Sequence, residues 1–117
     1  MSKVTLWHNP NCSTSRNTLA LLRERGVEPE VVQYLKTPPD RDTLKKVIAA
    51  TGAPVRALLR DKEKLCAELG LDNPAKTDDE LLDAMLAHPV LINRPVVIAD
   101  KGARLCRPIE RALEVLP

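Results

Sequence analysis

The 117-residue chain has no phenylalanine, one tryptophan and one tyrosine. So few aromatics argue against binding modes built on base stacking and against an aromatic-lined pocket for a large flat cofactor. Three cysteines are too few, and odd in number, for a disulfide framework. They read as reduced thiols of a cytoplasmic protein. No stretch approaches the roughly 18 apolar residues of a membrane helix. Residues 3–7 form too short an apolar run for a signal peptide. These absences leave a soluble chain of ordinary globular composition, 44% hydrophobic and 29% charged, with a length that suits one domain over 1–117.

Patterning suggests an element order. Residues 3–7 alternate as a first strand, and the turn-rich His8–Thr14 follows. A helix is expected from about Ser15 to Arg25, with Leu19, Ala20 and Leu22 on one face and Gly26 as its stop. Residues 30–35 read as a second strand. Asp40 is a good N-cap for a helix carrying Leu44, Val47 and Ile48, closed by Gly52. Residues 54–88 read as short helical pieces, 54–60, 62–69 and one beginning at Thr77. There Thr77-x-x-Glu80 forms a capping box ahead of Leu81, Leu82 and Met85. Residues 95–99 and 103–106 read as a hairpin around Asp100-Lys101-Gly102. Pro108 opens a last helix with Ile109, Ala112, Leu113 and Leu116. This order, β-α-β, helices, β-β-α, fits an α/β thioredoxin-like fold. It has a mixed four-stranded sheet and a helical insertion at about 54–88. The first two strands should run parallel through a right-handed crossover.

Cys12 lies between a strand and the helix after it. A thiol there meets free backbone N–H groups and the positive end of the helix dipole, which favour the thiolate. Its polar neighbours, His-Asn-Pro-Asn before and Ser-Thr-Ser-Arg after, weigh against a buried packing role. A Cys-x-x-Cys pair would need cysteine at 15, where Ser15 stands. A Cys-x5-Arg phosphatase loop would need arginine at 18, where Thr18 stands. Cys12, Cys66 and Cys106 are scattered, with only His8 and His88 to assist, so no zinc site is indicated. Cys12 is then a nucleophile without an adjacent resolving thiol, and electrons or a second thiol must come from elsewhere.

Acids are missing in a telling place. None occurs from residue 1 to 23, where about three would be expected from 16 in 117. From Ala84 to Ile109 the only acid is Asp100, against Arg94, Lys101, Arg104 and Arg107. If these ends meet, they form a basic patch beside Cys12. Arg94 and Arg107 each precede a proline, on constrained backbone, and arginine suits bidentate binding of tetrahedral oxyanions. A thiolate nucleophile among arginines fits attack on a small oxyanion. Residue chemistry alone leaves phosphate, arsenate and sulfate open.

Five blocks carry a resemblance. They are His8-Asn9-Pro10-Asn11-Cys12-Ser13-Thr14-Ser15-Arg16-Asn17-Thr18-Leu19, Tyr34-Leu35-Lys36-Thr37-Pro38-Pro39, Val55-Arg56-Ala57-Leu58-Leu59-Arg60, His88-Pro89-Val90-Leu91-Ile92-Asn93-Arg94-Pro95 and Arg104-Leu105-Cys106-Arg107-Pro108. In this order the chain resembles, over essentially its whole length, the glutaredoxin-coupled arsenate reductases (ArsC family) of the thioredoxin fold. The resemblance implies that Cys12 attacks arsenate, that Arg60, Arg94 and Arg107 bind the oxyanion and its adduct, and that His8 and Ser15 help hold the thiolate. It implies glutathione as co-substrate, glutaredoxin as the partner that resolves the mixed disulfide, no bound cofactor, and a role in arsenic detoxification. It also implies a cis peptide bond before Pro95. Ser13 departs from the glycine common in the family. A positive φ there would cost about 1 kcal/mol or more.

Cys66, among Leu65 and Leu69, reads as structural, and so does Cys106, although its neighbour Arg107 could bring it towards Cys12. Two other functions compete. A non-enzymatic Spx-type redox-responsive transcription regulator usually carries Cys-x-x-Cys, which Ser15 excludes. A reductase-like thiol protein with a different substrate typically lacks some of the three arginines, all present here. No nucleic-acid or membrane partner is indicated, and a monomer is expected.

Overall fold

The computed structural model describes residues 3–116. Four strands form one sheet in the order β2-β1-β3-β4. They are β1 (Thr5–Trp7), β2 (Glu30–Val32), β3 (Val96–Ala99) and β4 (Gly102–Leu105). β1 runs parallel to β2, with Leu6 opposite Val31, and antiparallel to β3, with Leu6 opposite Val97. β3 and β4 pair as an antiparallel hairpin, with Val97 opposite Arg104. This is the thioredoxin-like order expected from the sequence.

Strand alternation divides the core between the two faces of the sheet. Leu6 and Val97 join Val4, Leu22, Cys106, Ala112 and Val115 on one face. That face is covered by α1 (Ser13–Glu24) and by a 3₁₀ helix over Ile109–Glu114. Trp7 and Val96 face the other way, into a larger cluster with Tyr34, Leu44, Ile48, Leu58, Leu81, Met85 and Leu91. α2 (Arg41–Thr51) and α4 (Asp78–Ala87) contribute to it. Between them lie a 3₁₀ turn at Val55–Leu58 and the short α3 (Lys64–Glu68).

The caps follow the sequence. The Asp40 side chain accepts from the Thr43 N–H at 2.8 Å. Gly52 ends α2 at φ 72°, a left-handed conformation that glycine adopts without penalty. Thr77 and Glu80 form the reciprocal capping box at the start of α4. Arg41 of α2 pairs with Asp79 and Asp83 of α4 and ties the two helices on their solvent side.

Several expectations need correction. α1 begins at Ser13 rather than Ser15, which makes Cys12 its N-cap. Ala20 is exposed, and the buried face of α1 is Ser15, Thr18 and Leu22. β2 stops at Val32, because Gln33 O then accepts from both the Lys36 and the Thr37 N–H groups, turning the chain. The expected helix at 54–60 narrows to the 3₁₀ turn, the piece at 62–69 to Lys64–Glu68, and the last helix is 3₁₀. Among the described residues every positive φ falls on glycine. Ser13, the first residue of α1, therefore carries none of the conformational cost considered above.

Candidate active site

Cys12 stands where helices commonly place a serine or aspartate, with extended backbone at φ −100° and ψ 121°. Its own N–H donates to Asn9 O at 3.0 Å, and its carbonyl accepts the first helical bond, from Arg16 N–H. The preceding loop is tightly held. Asn11 N–H donates to Asn9 Oδ1, and Arg16 Nη1 donates to Pro10 O at 2.9 Å. The half-buried sulfur thus faces the unpaired N–H groups of the first helical turn. Burial pushes the thiol up. The Ser15 N–H, the nearby charged Arg94 guanidinium and the Thr14 N–H outweigh that and hold it below the ordinary thiol value.

Arg107 makes the direct side-chain contact, with Nη2 3.7 Å from Cys12 Sγ. Its aim is set by a second bond, Nε to Arg94 O at 2.7 Å. The peptide bonds Arg94–Pro95 and Arg107–Pro108 are both cis, the first as implied by the resemblance, the second unanticipated. Cys106 N–H donates to Pro95 O at 2.9 Å, which ties the two Arg-Pro segments side by side. Arg60 comes from a different part of the chain. An isolated antiparallel bridge, Leu59 to Ile92, holds it there. Arg60 N–H donates to Leu91 O, and Asn93 N–H donates to Leu58 O, each at 2.7 Å. The segments bearing Arg60 and Arg94 therefore meet backbone to backbone.

Glu63 was not evident from the sequence. Its Oε1 accepts from Arg60 Nε at 3.1 Å and lies 3.7 Å from Arg94 Nη1. It belongs to an acid-balanced stretch, and only the turn after Arg60 brings it to the arginines. A cleft of about 100 Å³ opens beside Arg107, lined also by Arg60, Asp61, Lys62 and Asn93. This is well under the roughly 300–1,000 Å³ of typical organic-ligand pockets. Neither Cys12 nor Arg94 lines it.

His8 and Ser15 form a buried pair, Nδ1 to Oγ at 2.6 Å. Ser15 Oγ also accepts from Asn9 N–H at 3.0 Å. Burial, then the charges of Arg23 and Arg16, hold His8 below the ordinary imidazole value and so keep it neutral. The Ser15 side chain thus braces the loop through His8 and Asn9, while its backbone N–H serves the sulfur. The other two thiols are buried. Burial, reinforced by Asp72 and Asp61, raises Cys66. Burial raises Cys106 to about 12, and its Sγ lies against Arg104 O at 3.5 Å, in the core face opposite Trp7. Of the three, Cys12 alone is shifted towards its thiolate.

Comparison with known proteins identifies the family. Residues 7–115 match the model of the ArsC family. The chain belongs to the ArsC family. It is 59% identical to an arsenate reductase of Rhizobium meliloti, over 97% of this chain and 81% of that protein. It is 56% identical to an arsenate reductase of Escherichia coli K12, over the whole of this chain and 83% of that protein. The solved structure of an arsenate reductase from Vibrio cholerae superposes with a TM-score of 0.93 at 46% identity, covering 97% of this chain and 98% of that one. The ArsC match spans both faces of the sheet and all three arginines.

Proposed function

We propose that the protein is an arsenate reductase that uses Cys12 as nucleophile and thiols as its source of electrons. The observation that carries this reading is the N-cap Cys12 thiol, held below its ordinary pKa, with Arg107 in contact. Membership of a family whose named relatives are arsenate reductases supports it.

Arg60, Arg94 and Arg107 hold arsenate through charge-assisted hydrogen bonds. The Cys12 thiolate attacks arsenic, an S–As bond forms, and one oxygen leaves as water after taking up protons. Neutral His8 and Ser15 keep the loop and its N–H groups in place. Glutathione then attacks the Cys12–arsenic adduct. The S–As electron pair stays on arsenic, which passes from As(V) to As(III) and departs as arsenite. Cys12 and glutathione are left as a mixed disulfide. The thiolate of glutaredoxin takes over the glutathionyl group and frees Cys12. Two thiols are oxidised for each arsenic reduced, so the electrons balance. The reading places the protein in the cytoplasm, where glutathione is abundant, with no bound cofactor.

The test is arsenate-dependent NADPH oxidation, coupled through glutathione, glutathione reductase and glutaredoxin. Turnover should need all three, and Cys12→Ser should abolish it. No turnover in the wild type, or undiminished turnover in Cys12→Ser, would sink the enzymatic reading. Turnover without glutaredoxin would remove that partner alone.

A further inference from the structure

Two buried side-chain polar atoms lack a hydrogen-bond partner among the described residues, Tyr34 Oη and Arg94 Nε. We propose that Tyr34 is an additional oxyanion-binding residue of the Cys12 site, its hydroxyl donating, beside Arg94 Nε, to the tetrahedral anion held by the arginines. This rests on the oxyanion reading above and adds a neutral donor to its three cations.

Tyr34 is fully buried. It sits in the turn that ends β2, two residues after Val32, whose carbonyl accepts from His8 N–H at 2.8 Å. The turn is thereby fastened to the strand end that leads into the Cys12 loop. After burial, the influences on its hydroxyl are Arg94, Cys12, Arg60 and Glu63, the same groups that form the site. Burial holds the phenol above its ordinary pKa, so it remains a neutral O–H donor.

Packing alone does not explain a hydroxyl here. A phenylalanine would fill almost the same volume without burying a polar atom. Leaving a hydroxyl unsatisfied is costly. No protein acceptor meets Tyr34 Oη; Arg94 O, which takes Arg107 Nε, and Glu63 Oε1, which takes Arg60 Nε, are not among its partners. A guanidinium Nε is a donor only. Two unpaired donors in one charged neighbourhood need an outside group rich in acceptors, and a tetrahedral oxyanion is such a group.

Tyr34→Phe separates this role from a structural one. Iodoacetamide labelling of Cys12 at pH 6.5, with and without sodium sulfate or sodium arsenate, reads anion binding without turnover. In the variant, unprotected labelling should be unchanged, and the anion concentration giving half-protection should rise about tenfold. KM for arsenate should rise by a similar factor, with kcat kept within about twofold. The melting temperature should hold or rise, because a buried unpaired hydroxyl is removed. A lower melting temperature with unchanged protection would show a structural hydroxyl and overturn the proposal. No change in either would show an Oη satisfied by buried water, and would also overturn it. A second measurement uses the wild type. Tyr34 is the only tyrosine, so ring-labelled protein gives a single residue's set of tyrosine ring signals by NMR. It should shift on sulfate titration over the range that protects Cys12. Protection without that shift overturns this inference and spares the arsenate reading. Absence of protection in the wild type overturns both.

Discussion

Glu63 places a carboxylate inside a cluster of arginines, and two opposing effects follow. It orients Arg60 and Arg94, and it competes with any anion for the same donors. Magnitudes decide between them. Its side chain is 28% exposed, and the orienting value of so exposed an ion pair is about 1 kcal/mol or less. Repulsion between a carboxylate and an oxyanion roughly 6 Å away is about 3 kcal/mol at an effective dielectric constant of 20. Competition should therefore prevail. Glu63→Gln should lower the sulfate or arsenate concentration that half-protects Cys12 by roughly 30-fold, read by the labelling assay at fixed ionic strength. A rise instead would show that alignment of Arg60 and Arg94 is the dominant contribution. The contrast among the cysteines belongs to the same scale. The N-cap N–H groups and Arg94 shift Cys12 towards the thiolate, whereas burial shifts Cys66 and Cys106 towards the thiol.

At the scale of elements, α4 supports the site without touching its chemistry. Leu81, Leu82 and Met85 fill the core beneath the segments that carry Arg60 and Arg94. Thr77 starts this helix by accepting from Glu80 N–H at 3.2 Å. Thr77→Ala should cost about 1 kcal/mol, a fall of roughly 3–6 °C in melting temperature for a chain of this size. Thermal denaturation checks it, and the Cys12 labelling rate at pH 6.5 should stay unchanged. This cap, the Asp40 cap, the Gly52 stop and the β3–β4 hairpin were readable in the sequence because each is decided by a few neighbouring residues. The same local logic put Cys12 at a helix start. What was not readable depends on distant partners. Tyr34 leaves the strand pattern because Gln33 captures two later N–H groups. Ala20 has a helical neighbour's spacing but lies on the uncovered side of α1. Glu63 reaches Arg94 only after the Leu59–Ile92 bridge has formed. The second cis peptide, at Arg107–Pro108, has no local signal beyond the proline itself.

For the whole molecule, acid-poor ends and an acid-balanced middle converge on one site. Residues 8–16 bring Cys12 and no acid, residues 93–107 bring Arg94 and Arg107, and the middle brings Arg60 with its counter-ion Glu63. Sheet order makes this convergence possible, since β1 and β3 are neighbours and Cys12 and Arg94 lie just beyond them. The same architecture gives the molecule a directional response to alkali. Cys106, Cys66 and Tyr34 are all raised in the native state, Cys106 to about 12, chiefly by burial. The unfolded chain therefore loses these protons first and binds fewer protons than the native chain. By linkage, stability falls as pH rises past the ordinary thiol value, by up to about 1.4 kcal/mol per pH unit for each group in its window. Cys12 works with the opposite sign. Its native pKa is depressed, so its contribution is complete above the ordinary thiol value and is lost only as pH falls through the native one. It cannot offset the alkaline decline. The midpoint of urea unfolding should drop steadily between about pH 9 and 11. Cys106→Ala should be less stable than the wild type at pH 7, because it leaves a cavity in the face shared with Leu6 and Val97. Its decline with pH should nevertheless be shallower, by the share that Cys106 contributes. Parallel declines in the two proteins would show that Cys106 ionises as readily folded as unfolded, which a fully buried thiol in an apolar cluster should not do.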